Sequence, residues 1–484
     1  MLLQDLPLDI LRLIFEQTTI RISSTTAHAK FFHPYESLNL SHVCRLWRTV
    51  ALNYPRLWTH IHGMDTMFTA FCIFLSKAAD LTLVIKRDNM RCCGMKMNPT
   101  RSYDFKLIKE ILPQVSFLCF VPEVSDINSF AEVFWNSPAP RLRICHFDFT
   151  TLHEGMNRSG WGEMEKTLFS GPFPGGTPRL RYALWQRFLP SLDSPMWNDL
   201  VVLRVGSSMT GQTLSLIDWL SLLSRSPSLQ ELMINVEFLD DRELLKILPD
   251  HKLYMGQLQT ISLSGFSMKQ VKVLFDYLQF PRISSLHIYS ILKTGSEDAL
   301  PHLDEILTQV GEISSLIQKT KSLVIESLGG YPRVVALSDV LYFSTQFLTQ
   351  TQDWPTYIFK HTPRIEDLKF GSIPNKYLKF GSMVMPEVKT LHIGSISGFP
   401  DLTSMAEDRN LPSLSIVTIG TLFKPLTAQN MGHMRLLFDK CNAPKIVVIR
   451  TAWSTGREYD ALAEFCKHNK IEFQTKMEEK GRRR

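Results

Sequence analysis

The chain has 484 residues, 44% of them apolar and 21% charged, with a net charge of +6. This balance excludes disordered, collagen-like and membrane-spanning classes, because the apolar content is globular and no uncharged apolar run approaches the ~18 residues of a membrane span. So small a charge surplus over this length gives no general attraction to nucleic acid.

The N-terminus carries Asp5 and Asp9 and lacks a basic stretch ahead of an apolar run, so it does not read as a secretion signal. Eight cysteines occur, and no pair has Cys-x-x-Cys spacing. Reduced core thiols in the cytoplasm or nucleus are therefore expected rather than zinc sites or disulfides. Cys92-Cys93 lies in a Met- and Lys-rich stretch that reads as a loop.

The first element runs from Asp5 towards Phe15. Pro7 suits a first helical turn, and Asp9 places a carboxylate where the helix dipole favours one. Ile10, Leu11, Ile14 and Phe15 then share a face. From Arg21 to Pro34 the chain is rich in Ser, Thr and Ala and reads as a loop, with His28 and His33 lacking partners at metal-ligand spacing. A second helix is expected over about residues 36–52, with Leu40, Val43, Cys44, Trp47, Val50 and Ala51 at helical intervals. Tyr54-Pro55 stops it. Leu57 and Trp58 add bulk after the break. A unit of roughly 60 residues is marginal alone, and an apolar face left over on it is available for docking.

Three blocks in this order resemble an F-box: Leu6-Pro7-x-x-Ile10-Leu11-x-x-Ile14-Phe15, Val43-Cys44-Arg45-x-Trp47-Arg48 and Pro55-x-Leu57-Trp58. The resemblance covers residues 4–62. Asp9 stands where the family usually has Glu, and the loop before the second helix is longer than in the common form, as in F-box proteins of mushroom-forming fungi. The resemblance implies binding to the Skp-type adaptor of a cullin-based ubiquitin ligase. Leu6, Pro7, Ile10, Leu11, Ile14, Leu40, Val43, Trp47, Leu57 and Trp58 are its candidates for that interface or for the small core behind it.

The remainder repeats. The pattern apolar-x-x-apolar-x-apolar, often after Pro, recurs at Leu229/Leu232/Ile234, Leu258/Ile261/Leu263, Ile283/Leu286/Ile288, Ile365/Leu368/Phe370, Val388/Leu391/Ile393 and Leu414/Val417/Ile419. Weaker copies lie at Val115/Leu118/Phe120, Leu142/Cys145/Phe147 and Leu200/Leu203/Val205, and further strands are expected at 321–325 and 446–449. Helical patterns fall between them, at 214–220, 271–278 and 304–319. Strand–helix alternation implies parallel strands, each unit burying its face on a neighbour. The pattern resembles an irregular leucine-rich-repeat solenoid; a doubly wound α/β domain is the rival. Residues alternating with the core positions point outward. Among them Met233, Ser285, His287, Tyr289, Asp367, Lys369 and His392 are candidates for holding a target protein, the surface being mixed and mostly uncharged.

No catalytic signature is present. Gly394-Ser395-Ile396-Ser397-Gly398 has Ile where a nucleophile elbow needs Ser. The sequence has neither a phosphate-loop lysine motif nor His-Glu-x-x-His. The prolines of Gly171-Pro172-Phe173-Pro174-Gly175-Gly176 remove the donors of a phosphate cradle, so that stretch reads as a surface loop. His60-Ile61-His62 is a weak metal signal.

The expectation is an α+β chain in three parts: a small all-α F-box-like docking module over 1–62, an α/β leucine-rich-repeat-like solenoid with a parallel sheet over 63–475, and a basic tail over 476–484. Its expected role is that of the substrate-recognition subunit of a cullin–RING ubiquitin ligase, non-catalytic and without cofactor or metal. The alternatives are an F-box scaffold outside any ligase and, more remotely, an enzyme with a scattered site.

Overall fold

The computed structural model describes residues 6–22, 30–32, 36–62, 66–86, 104–122, 127–150, 171–187, 189–208, 215–235, 252–290, 314, 317–328, 331–337, 342–347, 360–362, 364–370, 385, 387–395, 411–421, 445–450, 463–464, 466–468 and 472–477. The chain forms two compact units. One comprises Met1–Gln212 with Ser221–Glu231, the other Thr213–Leu220 with Leu232–Arg484.

The first helix, α1 (Leu8–Thr19), begins where the Pro7 carbonyl accepts the amides of Ile10 and Leu11 at 3.0 and 3.1 Å. Leu11 and Phe15 are fully buried. The stretch expected as a loop from Arg21 to Pro34 contains an antiparallel ribbon, β1 (Ile20–Ile22) with β2 (Lys30–Phe32). Its isoleucines and phenylalanines are strand formers, which outweighs the polar composition between them. His28 and His33 lie outside the described residues.

The single helix expected over 36–52 is two, α2 (Glu36–Ser41) and α3 (Arg45–Leu52). Between them the Cys44 backbone is extended (φ −157°, ψ 173°) and its Sγ accepts the Trp47 amide at 3.4 Å, so Cys44 is the N-cap of α3. Sulfur is a weak acceptor and serine a preferred cap. Cys44→Ser is therefore expected to raise stability by up to about 1 kcal/mol, read as a higher denaturant midpoint with unchanged slope.

Beyond Trp58 the first unit is a parallel ladder: β3 (His60–His62), β4 (Leu81–Lys86), β5 (Val115–Val121), β6 (Ile144–Asp148), β7 (Tyr182–Arg187) and β8 (Val202–Ser208). Helices α4 (Thr66–Ser76), α5 (Phe105–Ile111) and α6 (Ile127–Trp135) fall between the first four strands. Ile61, Leu83, Leu118, Cys145, Ala183 and Leu203 stand in register, one per strand, and all are buried. An aromatic core covers that face. Phe120 lies 4.3 Å from Phe130 and 5.1 Å from Phe134, and Phe147 stacks on Trp185 at 4.3 Å. The glycine-rich stretch expected as a plain surface loop is anchored in this core. Phe173 is 1% exposed, contacts the rings of Phe134 and Phe147, and donates its amide to the Phe134 carbonyl at 2.7 Å.

The division between units falls within α7 (Leu216–Ser224) and at the start of β9 (Glu231–Asn235). The second unit continues with β10 (Leu253–Tyr254), β11 (Thr260–Ser264), α8 (Met268–Tyr277) and β12 (Leu278–Gln279), β10 pairing in parallel with β12. A reciprocal Ser267–Gln270 capping box starts α8. Then come β13 (Ser285–Ser290), β14 (Ser322–Leu328), β15 (Tyr331–Leu337), β16 (Tyr342–Phe347), β17 (Asp367–Phe370), β18 (Thr390–Ser395), β19 (Ile416–Thr421), β20 (Lys445–Arg450) and β21 (Glu472–Met477).

The main ladder of this unit runs β11-β13-β16-β15-β14-β17-β18-β19-β20-β21. The uniformly parallel expectation fails at β15, which is antiparallel to both β14 and β16. Only Gly329 and Gly330 separate β14 from β15, a link of hairpin length and far short of a parallel crossover.

Prolines ahead of the parallel strands have a common role. With Pro140, Pro178, Pro227, Pro281 and Pro412 in second position, the amides of Leu142, Leu180, Leu229, Ile283 and Leu414 each donate to the carbonyl three residues back, at 2.9–3.3 Å. Proline presets the φ of the second turn residue, and the turn ends on a buried aliphatic side chain.

Candidate functional site

The N-terminal helices sort their apolar side chains into two sets. Leu11, Leu40, Leu57 and Trp58 are buried. The Trp58 indole N–H donates to the Ala51 carbonyl at 2.8 Å, and the buried Ser37 hydroxyl donates to the Leu57 carbonyl at 2.7 Å. These bonds tie α2 and α3 to the 3-10 turn Pro55–Trp58. The Tyr54 hydroxyl donates to the Glu16 carboxylate, and the Arg12 guanidinium lies over the Tyr54 ring at 5.6 Å. Burial first, then Glu16, raises the Tyr54 pKa, which keeps the phenol a donor.

The other set faces water. Ile10 is 43% exposed and Val43 60%; Pro7 is exposed, and Leu6, Ile14 and Trp47 are half-buried. Trp47 rests on Phe15, ring centroids 5.0 Å apart. Leu8 and Leu13, which the helical stripe omitted, are also about half exposed. The signal for them was present: α1 is apolar on more than one side, and a helix that packs by one face has no internal use for the second.

On the second unit, in-register alternation holds. Leu286, Leu368 and Leu391 are fully buried, while Ser285, His287, Tyr289, Asp367, Lys369 and His392 are intermediate on the opposite face. Met233 is 40% exposed. The Ser285 hydroxyl lies 3.0 Å from His287 Nε2, and His287 stacks on Tyr289 at 6.1 Å.

Lys369 and His392 are register partners on β17 and β18. The His392 pKa is lowered by burial first and then by the Lys369 charge, with Asp367 opposing. An unfolded imidazole therefore takes up its proton before the folded one. The contribution to stability is full above the ordinary value of 6.5 and is lost as pH falls through and below it. Accordingly, the stability lost by the wild type between pH ~7.5 and ~5.5 should exceed that lost by His392→Asn, as measured by urea unfolding.

Among the described residues, no group of three or more His, Cys, Asp or Glu side chains could hold a metal ion, and no helix is long and apolar enough to cross a membrane. β3 carries His60 and His62 two positions apart around buried Ile61.

Residues 3–63 match the family described as F-box-like. Such a domain suggests, at the coarse level, a substrate adaptor of ubiquitin ligases, and F-box domains generally bind Skp-type adaptors. No curated protein matches the chain.

Proposed function

We propose that the chain is the substrate-recognition subunit of a cullin–RING, SCF-type ubiquitin ligase. One observation carries the reading: an F-box-like segment closes its own core with Leu11, Leu40, Leu57 and Trp58 and leaves Ile10 and Val43 in solvent. Exposed apolar side chains gathered on a small module favour a protein partner. The Skp-type adaptor docks there and brings the cullin. The region after the F-box acts as an irregular leucine-rich-repeat-like solenoid, and its outward rows, including Met233, His287, Tyr289, Asp367, Lys369 and His392, hold the target protein.

The chain performs no bond chemistry in this reading and needs no cofactor. It keeps target lysines near a charged carrier enzyme, and the rate gain comes from effective concentration. Proximity labelling with and without proteasome inhibition tests it. Proteins labelled by the wild type should accumulate on inhibition. A labelled set whose abundance ignores both inhibition and removal of residues 3–63 contradicts the assignment.

A further inference from the structure

The first unit carries an arginine edge built from a repeated turn. Ahead of β6 and again ahead of β7 the sequence reads Pro-Arg-Leu-Arg, at residues 140–143 and 178–181. Leu142 and Leu180 are fully buried, each fixed by its turn bond. The arginines flanking each leucine are thereby turned outward: Arg143 and Arg179 are exposed, and Arg141 and Arg181 partly so. The copies adjoin, since the amides of Arg181 and Tyr182 both donate to the Arg143 carbonyl, at 2.9 and 3.1 Å. Four guanidiniums thus spring from two adjoining turns that lead into strands ~4.8 Å apart.

Among the described residues their internal neutralisation is incomplete. Asp80 serves both Arg141 and Arg143, each at 3.4 Å, and Arg141 also donates to the Ala78 carbonyl. Arg181 donates to the carbonyls of Leu180 and Pro178, which carry no charge. Among the described residues no carboxylate lies within ion-pair reach of Arg179 or Arg181. In the second unit Lys389 at the same turn position pairs with Glu366 at 3.0 Å, whereas Arg282 bonds to the neutral side chain of Gln257 at 2.9 Å. Four guanidiniums against the single carboxylate of Asp80 among the described residues concentrate positive charge at this edge, and such a concentration attracts an external anion.

We infer that this edge binds an anionic peptide segment, its oxyanions supplied by carboxylates or by phosphoserine. Guanidinium forks match both groups bidentately, and an edge two turns wide fits a short extended stretch better than a nucleic acid duplex. The inference leans on the receptor reading only in making that segment part of the target.

Fluorescence anisotropy on the full chain tests it with four labelled probes: oligoglutamate, a serine peptide carrying phosphoserines, the same peptide unphosphorylated, and a single-stranded oligonucleotide of matched charge. One or both anionic peptides should bind, and the stronger of the two identifies the source of the oxyanions. Arg143→Gln with Arg181→Gln should weaken that binding by about tenfold or more. Its melting temperature should stay level or rise, which loss of a structural contact would not produce. Arg282→Gln should leave binding unchanged. Arg179→Gln alone, at an exposed position, repeats the test should the double variant misfold. The inference is overturned if neither anionic peptide binds, if the oligonucleotide binds tighter than both, or if the arginine variants bind like the wild type. Capture of a Skp-type adaptor by the same variants, measured in parallel, shows whether the docking reading stands independently.

Discussion

Replacing Ile10 and Val43 together by aspartate should weaken capture of a Skp-type adaptor by about a hundredfold or more while leaving the melting temperature nearly unchanged. Both side chains are substantially exposed, so neither fills the core that the substitution would otherwise disrupt. Two carboxylates in an apolar interface would have to be desolvated without partners, which costs several kcal/mol. Isothermal titration with purified adaptor reads the affinity and calorimetry the stability. A parallel fall in both would mean that these residues serve the chain's own packing.

Trp58→Ala should behave in the opposite way. Trp58 is 1% exposed, donates to the Ala51 carbonyl and meets Phe71 of α4 edge-on at 5.2 Å. Truncation leaves a cavity and removes one of the donors to the Ala51 carbonyl, which keeps the Tyr54 amide at 3.1 Å. The expected loss is about 3–5 kcal/mol, measured by urea unfolding. Adaptor capture should fall with it, because α3 and the following turn lose the side chain that holds them together. Trp58→Phe keeps most of the volume and should cost less. A Trp58→Ala chain as stable as wild type would contradict the packing described for this module.

Much of the architecture was legible because buried aliphatic spacing is a local signal. The triplets at Leu142/Cys145/Phe147 and Val388/Leu391/Ile393 led into strands whose middle residues line up in register with those of their neighbours. Strand β7 was missed although Leu180, Ala183 and Trp185 occupy the same positions, since a small and a very large residue disguise the repeat. The break between α2 and α3 was missed for a different reason. Side-chain periodicity runs on through His42–Cys44, and only the backbone angles of Cys44 reveal the cap. The reversed strand β15 depends on link length and pairing partner, which no periodicity encodes.

For the candidate site, the sequence named the module's apolar residues but could not divide them. Leu11 and Ile10 are neighbours of similar character, yet one is fully buried and the other 43% exposed. That division comes from where α2, α3 and the turn at Pro55 pack against α1. The arginine edge escaped notice because its four members are spread over two repeats and become neighbours only through the β6–β7 pairing.

Co-elution on a sizing column with purified Skp-type adaptor and cullin tests the ligase assignment most directly. The chain should carry cullin only when adaptor is present, in a complex that Ile10→Asp with Val43→Asp dissolves. Adaptor bound without cullin would make the chain a scaffold outside the ligase, and failure to bind adaptor at all would remove the basis for either role.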